Sequence, residues 1–406
     1  MTLDIEFVRS QFPGLANPWV LFDNAGGSQI LASSVERLSD YLLNTNVQHG
    51  ASYEVSATAT RRVEEAQQRL AKLINAKRPE EVVMGASSSM LLKQLADAMP
   101  LGAGDEIIVT NFDHEANISP WNRLRERGVI VKTWKLNPQT LELDLDALHA
   151  LFTPRTRLLC VSQASNILGA VNPVETLAAV AHQHGAQICV DAVAYAPHRV
   201  IDVSGWDVDY YVFSLYKVYG PHQAILYAKY DNLCELANLN HSFLGAAIPY
   251  KLQPGNVNYE LTYASAAVVD YLETLGRRSA GTEVESRAAI EAAYTAIATH
   301  EEMLSEPLLE FLRSRNTVRI IGPVTASADV RVPTISFVVD NRRSDDIVAA
   351  MDAHKIGIRF GDFYAPQLID DLGLRPQNGV VRVSMVHYNT RDEVDRLIGH
   401  LNEILD

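Results

Sequence analysis

Five short polar segments in this chain each follow an apolar run: Gly85 to Ser89, Asp113 to Asn117, Ser162 to Asn166, Asp191 to Tyr195, and Ser214 to Lys217. In an open α/β sheet, ligands sit beyond the carboxyl ends of the strands, so these segments are where chemistry belongs. Asp191 ends one run and Lys217 follows another, 26 positions later. An aspartate aimed into such a cleft can keep a pyridine nitrogen protonated, and a nearby lysine can form a Schiff base with pyridoxal 5′-phosphate. His114 can lie flat on that ring and shuttle protons, and Asn166 can hydrogen-bond the ring's 3-oxygen or the substrate. Ser87 and Ser88 open a helix whose N–H groups and hydroxyls can hold a phosphate. Singly, each has an ordinary explanation. Serines cap helices, an aspartate caps a turn, and a lysine among aromatics snorkels to the surface. In this order on successive strand ends, they converge on one cofactor. The glycine fingerprints for dinucleotides and for nucleoside triphosphates are both absent, so the phosphate need not belong to NAD or ATP.

The elements that must position these residues are legible in the apolar pattern. Nearly continuous apolar runs at 82–84, 107–109, 129–131, 158–161, 187–190, 210–213 and 224–227 suit strands buried on both faces. Helical spacing fills the intervals at 87–99, 118–127 and 174–184. Strand and helix alternation implies right-handed crossovers and a doubly wound, mostly parallel sheet. Past residue 260 the texture changes to long helices (262–275 and 283–302). A smaller α+β pattern follows, with strands at 318–321, 334–339 and 380–385, and the last helix runs over 391–405 behind Asn389-Thr390. The fold class is therefore α/β: a large domain over residues 16–260, and a small α+β domain from 1–15 plus 261–406. The segment 359–366 reads as a loop.

Composition narrows the function from another side. Apolar residues at 47% allow a substantial core, while a net charge of −14 argues against a nucleic-acid partner, which requires a cationic face. No apolar run reaches the ~18 residues of a membrane span, so no membrane association is expected. The first residues lack a basic-then-apolar leader, which points to a cytoplasmic protein. Cys160, Cys189 and Cys234 form no CxxC pair and no disulfide framework, and no metal is called for.

The run VDAVAYAPHRVIDVSGWDVDYYVFSLYK and the VYGPH that follows it resemble the cofactor-binding stretch of the class V aminotransferases, in particular the cysteine-desulfurase-like group. FDNAGGSQ, DHEANISPW, SNILGAVNPV and RVSMVHYNTRDEVDRL agree with it in order over nearly the whole chain. The resemblance implies the pyridoxal-phosphate fold known as type I, with Lys217 as the Schiff-base lysine and Asp191 as the ring-nitrogen partner. It makes His114 the ring-stacking histidine and places Asn166 near the 3-oxygen. Ser87, Ser88, Ser214 and Tyr216 would cradle the phosphate, with a tyrosine where the family commonly has histidine. Asn256, beside Gly255, would complete the phosphate cup of a neighbouring subunit, which implies a homodimer with shared sites. On the substrate side, Arg382 would grip the α-carboxylate of a small amino acid, since a bidentate guanidinium fixes the substrate's orientation. Arg359 is a second candidate, and Asn24, Gly27, His49 and Tyr364 would line the same side.

Two departures from the family pattern bear on the reaction. Position 194 is alanine where the family has glutamine, so Tyr195 or His198 would have to supply that contact. The segment 359–366 has no cysteine where sulfur-transferring desulfurases carry one, and Tyr364 stands about there. Cys160 and Cys189 sit in strand runs as small hydrophobes, and Cys234 has no basic neighbour, so a persulfide relay is not expected. The resemblance then implies a carbon–sulfur lyase that eliminates the Cβ substituent of cysteine or a cysteine derivative. The alternative is an aminotransferase or epimerase built on the same machinery. A third reading is a catalytically idle fold used for interaction, against which Lys217, Asp191 and Arg382 together count.

Overall fold

A computed structural model describes residues 3–405. Strand β1 is Val20–Leu21, β2 Val82–Gly85, β3 Glu106–Thr110, β4 Ile130–Trp134, β5 Thr156–Ser162, β6 Gln187–Asp191, β7 Tyr210–Ser214 and β8 Ala224–Ala228. The smaller half contributes β9 Val318–Ile320, β10 Thr334–Val339, β11 Ile356–Gly357, β12 Arg359–Gly361 and β13 Val380–Ser384.

The large sheet has the order β2-β8-β7-β6-β5-β3-β4. Its strands are parallel except β8, which runs against both of its neighbours. Alternation along β5 explains the continuous apolar run: Leu159 and Val161 enter one core layer, while Leu158 and Cys160 enter the other. Cys160 lies directly beside Cys189 in this register, and both are buried. Burial of each such aliphatic side chain is worth about 1.5–3 kcal/mol, so both layers of this sheet are costly to open.

The second sheet, β12-β13-β10-β9, is antiparallel and covers a separate core that includes Ile335, Phe337, Val383, Leu397 and Leu401. Helix Ser286–Arg313 ties the two halves together. Its first turns bury Ile290, Ala293 and Ile297 with the large core, and its last turns bury Leu304, Leu308 and Leu312 with the small one. The chain's start also belongs to this junction, because β1 pairs in parallel with β11.

The strand expectations at 82–84, 107–109, 158–161, 187–190, 210–213 and 224–227 all correspond to observed strands. Three local differences have physical causes. The helix expected over 118–127 is Ser119–Arg123 followed by a tight turn, which Gly128 ends at φ 81°. The helix expected over 283–302 begins at Ser286 and continues to Arg313 through Pro307. Residues 359–361, read as loop, form edge strand β12 because β13 supplies the hydrogen-bonding partner. Among the described residues no helix is long and apolar enough to cross a membrane.

Candidate active site

Four parallel strands that lie side by side, β7, β6, β5 and β3, end at one cleft. Beyond those ends stand Lys217, Asp191, Asn166 and His114, and all four line a single cavity with Ser88 and Tyr216. The topology therefore brings together residues that are up to 129 positions apart in sequence (Ser88 to Lys217).

Asp191, 6% exposed at the last position of β6, accepts the Val193 N–H at Oδ1 (2.9 Å). Oδ2 accepts no hydrogen bond among the described residues. Burial, reinforced by the nearby Asp113 carboxylate, pushes the Asp191 pKa up to about 6, while Lys217 opposes the rise. A carboxylate in that position favours a cationic N–H partner. Lys217 sits in the turn after β7. Burial and the Arg382 charge bring its ammonium down to about 8, which leaves about a tenth of the amine neutral at pH 7. His114 accepts the Ala116 N–H at Nδ1 (3.0 Å), so the neutral ring carries its proton on Nε2. Burial first, then the charges of Lys217 and Arg382, hold it at about 4.

Ser88 opens helix Ser88–Ala98, and its Oγ accepts from Ser214 Oγ at 3.1 Å, which joins two expected phosphate-side hydroxyls. Ser87 is placed differently. Its hydroxyl caps the same helix by accepting the Met90 N–H, and Ser89 rather than Ser87 lines the cavity. Tyr216 stacks face to face on His222 (4.8 Å, 2°) and packs beside Gly27, where an added Cβ would stand 3.3 Å from the ring.

A second cavity continues from Lys217 and His114 to Arg382, Arg359 and Tyr364. The two arginines face each other across β13 and β12, a like-charge pairing that costs stability unless a counterion is present. Asp23 is that counterion: it meets Arg382 Nη2 at 3.0 Å and Arg359 Nη1 at 3.5 Å. The Arg382 guanidinium is 3% exposed, lies 3.7 Å over the Phe363 ring, and donates from Nη1 to the Asn166 carbonyl. Its Nε is buried without a hydrogen-bond partner, a vacant donor that a carboxylate would satisfy.

Other expected residues do not come to this wall. Asn24 donates to the carbonyls of Leu21 and Ser384 and to Asn389, and accepts from Tyr388 Oη, so its amide is spent on holding the 23–27 segment. Ala25 and Gly26 line the cavity instead. His49 bonds Tyr41 Oη and stacks on Tyr259; it lines a separate surface cavity together with Asn256. Neither substitute for the glutamine missing at 194 faces the site. His198 is bonded to Glu301 (2.8 Å), and Tyr195 packs edge-on against Trp206. Asp23, Ser89 and Phe363 were not singled out from sequence. Asp23 and Ser89 lie inside motifs quoted for other residues, and Phe363 adjoins Tyr364.

The donor set fits pyridoxal phosphate. An amine of lowered basicity, a carboxylate with an open oxygen, a neutral imidazole and a pair of hydroxyls at a helix start line one cavity. The family model for class V aminotransferases matches residues 20–397. An aminotransferase-like protein of Gibberella zeae is 40% identical, with the alignment covering 100% of this chain and 99% of the relative. A cysteine desulfurase of Serratia proteamaculans is 31% identical, again over 100% and 99% of the two chains. The apo structure of a cysteine desulfurase from Thermococcus onnurineus superposes with a TM-score of 0.87 at 25% identity, covering 100% of this chain and 98% of that one. The chain belongs to the class V aminotransferase family and is a cysteine-desulfurase-like enzyme whose cofactor is pyridoxal phosphate.

Proposed function

We propose that the protein is a carbon–sulfur lyase that eliminates the Cβ substituent of cysteine or a cysteine derivative, giving pyruvate, ammonia and the departing thiol. The observation that carries this reading is one continuous site in which the Lys217 amine and the Arg382 guanidinium face a pocket whose mouth presents Tyr364 and no thiol. When bound, pyridoxal phosphate supplies an aldehyde for the amino group and an electron-accepting ring.

The chain's residues do the remainder. Lys217 would bind the cofactor aldehyde, and its Nζ is also the base for the Cα proton, since an amine with a pKa of about 8 serves near neutrality. Arg382 holds the α-carboxylate through its vacant Nε and so sets which Cα bond breaks. Asp191 would hold the ring nitrogen, and His114 would offer its Nε2–H to the cofactor or substrate. Asn166 lies beside both, its amide donating to the Phe363 carbonyl at 2.8 Å. Ser88 and Ser89, with Ser214 bonded to Ser88, would take the phosphate.

The separate cavity holding His49 and Asn256 has Phe243 beside it, 82% exposed, which supports a homodimer with Asn256 completing the partner's phosphate cup. The two sheets support a division into a large and a small domain, for which we propose 16–260 and the remainder, with helix Tyr259–Ala280 packed on the large core; a cytoplasmic location is part of the same proposal.

Incubating the holoenzyme with cysteine, cystine and cysteine conjugates tests the reading. Pyruvate together with sulfide or thiol is expected. A keto acid that retains the sulfur, formed with pyridoxamine phosphate, would replace it with a transaminase.

A further inference from the structure

We propose that the Tyr364 hydroxyl is the proton donor to the group that leaves the substrate's Cβ. This rests on the elimination reading above and adds to it a named acid.

The backbone presents Tyr364 by an unusual route. Phe363 and Tyr364 are consecutive aromatic residues at φ 48° and 60°, the left-handed region that side chains other than glycine rarely occupy. Three hydrogen bonds hold them there, two of them from the loops that form the site. Asn166 Nδ2 donates to the Phe363 carbonyl (2.8 Å), the Glu115 N–H to the Tyr364 carbonyl (2.7 Å), and the Tyr364 N–H to Asp362 Oδ1 (3.1 Å). The result sends the two rings to different stations. Phe363 lies under Arg382, and Tyr364 stands 5.3 Å from the His114 ring at the cavity wall, 69% exposed. Strain retained by several bonds at a ligand cavity marks a residue kept for a task.

The carboxylates nearest this wall are already paired. Asp23 is shared by two arginines, and Asp362 is paired with Arg375 at 3.2 Å. His114 is held neutral, with Nδ1 occupied. Tyr216 is stacked on His222 at the inner end, where the two cavities meet. That leaves Tyr364 as the hydroxyl at the outer wall, where a side chain pointing away from Lys217 would end. In the step, the Cα–H bond breaks and its proton passes to Lys217 Nζ. Its electron pair becomes the second bond between Cα and Cβ, and the Cβ–S bond breaks with its pair going to sulfur. The Tyr364 O–H proton then joins sulfur, and solvent reprotonates the phenolate. The sum is loss of one thiol from the amino acid.

Tyr364→Phe removes one exposed oxygen and keeps the ring. The test compares S-methylcysteine, whose thiolate needs a proton, with β-chloroalanine, whose chloride needs none. Expected for the variant is a fall in kcat of about 100-fold on S-methylcysteine and of less than about 3-fold on β-chloroalanine. Calorimetric affinity for the unreactive ligand glycine should stay unchanged. An equal effect on the two substrates, or no effect on either, overturns the proposal while the elimination reading stands. If wild-type enzyme releases pyruvate from neither substrate, the elimination reading falls and takes the proposal with it.

Discussion

Asp191 bears a charge that its surroundings oppose. Its folded-state pKa of about 6 lies above the ordinary aspartate value, so the native state binds the proton more tightly than the unfolded chain does. The stability this confers is complete below the unfolded pKa and is lost as pH rises through about 6. Roughly two pKa units correspond to about 3 kcal/mol at most. Ligand-free Asp191→Asn is therefore expected to melt above wild type at pH 7.5, with the gap closing near pH 4, and to bind pyridoxal phosphate weakly. Thermal denaturation and cofactor absorbance measure the two effects. For Lys217, uptake of the cofactor by the apo protein should quicken as pH rises from 7 to 9, half-maximal near 8, with no yellow band in Lys217→Ala; uptake that is flat over that range contradicts the neutral-amine argument. Lys217, Asp191 and His114 were legible in the sequence because each follows an apolar run, and a strand's end fixes where the next side chains point. Asp23 was not, since its arginine partners are 336 and 359 positions away. Asn24 and His198 misled for the same reason: Ser384 and Glu301 claim them from far along the chain.

Elements of few residues or of small side chains were the hardest to read. β12 is three residues long and ends in glycine, so only its pairing with β13 makes it a strand. Helix Glu54–Leu73 buries Ser56, Ala59, Val63, Ala66, Leu70 and Leu73 at regular helical spacing, with small side chains at half of those positions. The turn carrying Asn166 is held to the small half by the Val332 N–H on the Gly169 carbonyl and by the Val171 N–H on the Val330 carbonyl. Gly169 itself has φ 69°, and an added Cβ would stand 2.2 Å from the Thr334 carbonyl. Gly169→Ala is therefore expected to cost several kcal/mol, about 2–4 from strain and overlap together. Because Asn166 shares the turn, cofactor affinity should fall as well. A variant with wild-type melting and wild-type affinity would show that the turn relaxes freely.

On the scale of the whole molecule, the two expected site residues that lie away from the cleft, His49 and Asn256, share a face that also presents Phe243 and Tyr250. Phe243→Asp is expected to yield a monomer in sedimentation and to weaken cofactor binding at least about 10-fold, because the phosphate cup would lack its second half. A dimer of full affinity would place the contact elsewhere. The amino-terminal segment has a different bearing on the whole. β1 joins the carboxy-terminal half through β11, and Asp23 follows it directly between the two arginines. Replacing Asp23 by alanine would retain every strand of the large sheet and leave the cofactor's neighbours in place. It would leave two guanidinium groups repelling each other across an uncompensated rung, and the substrate's own carboxylate would then have to act as the mortar between them.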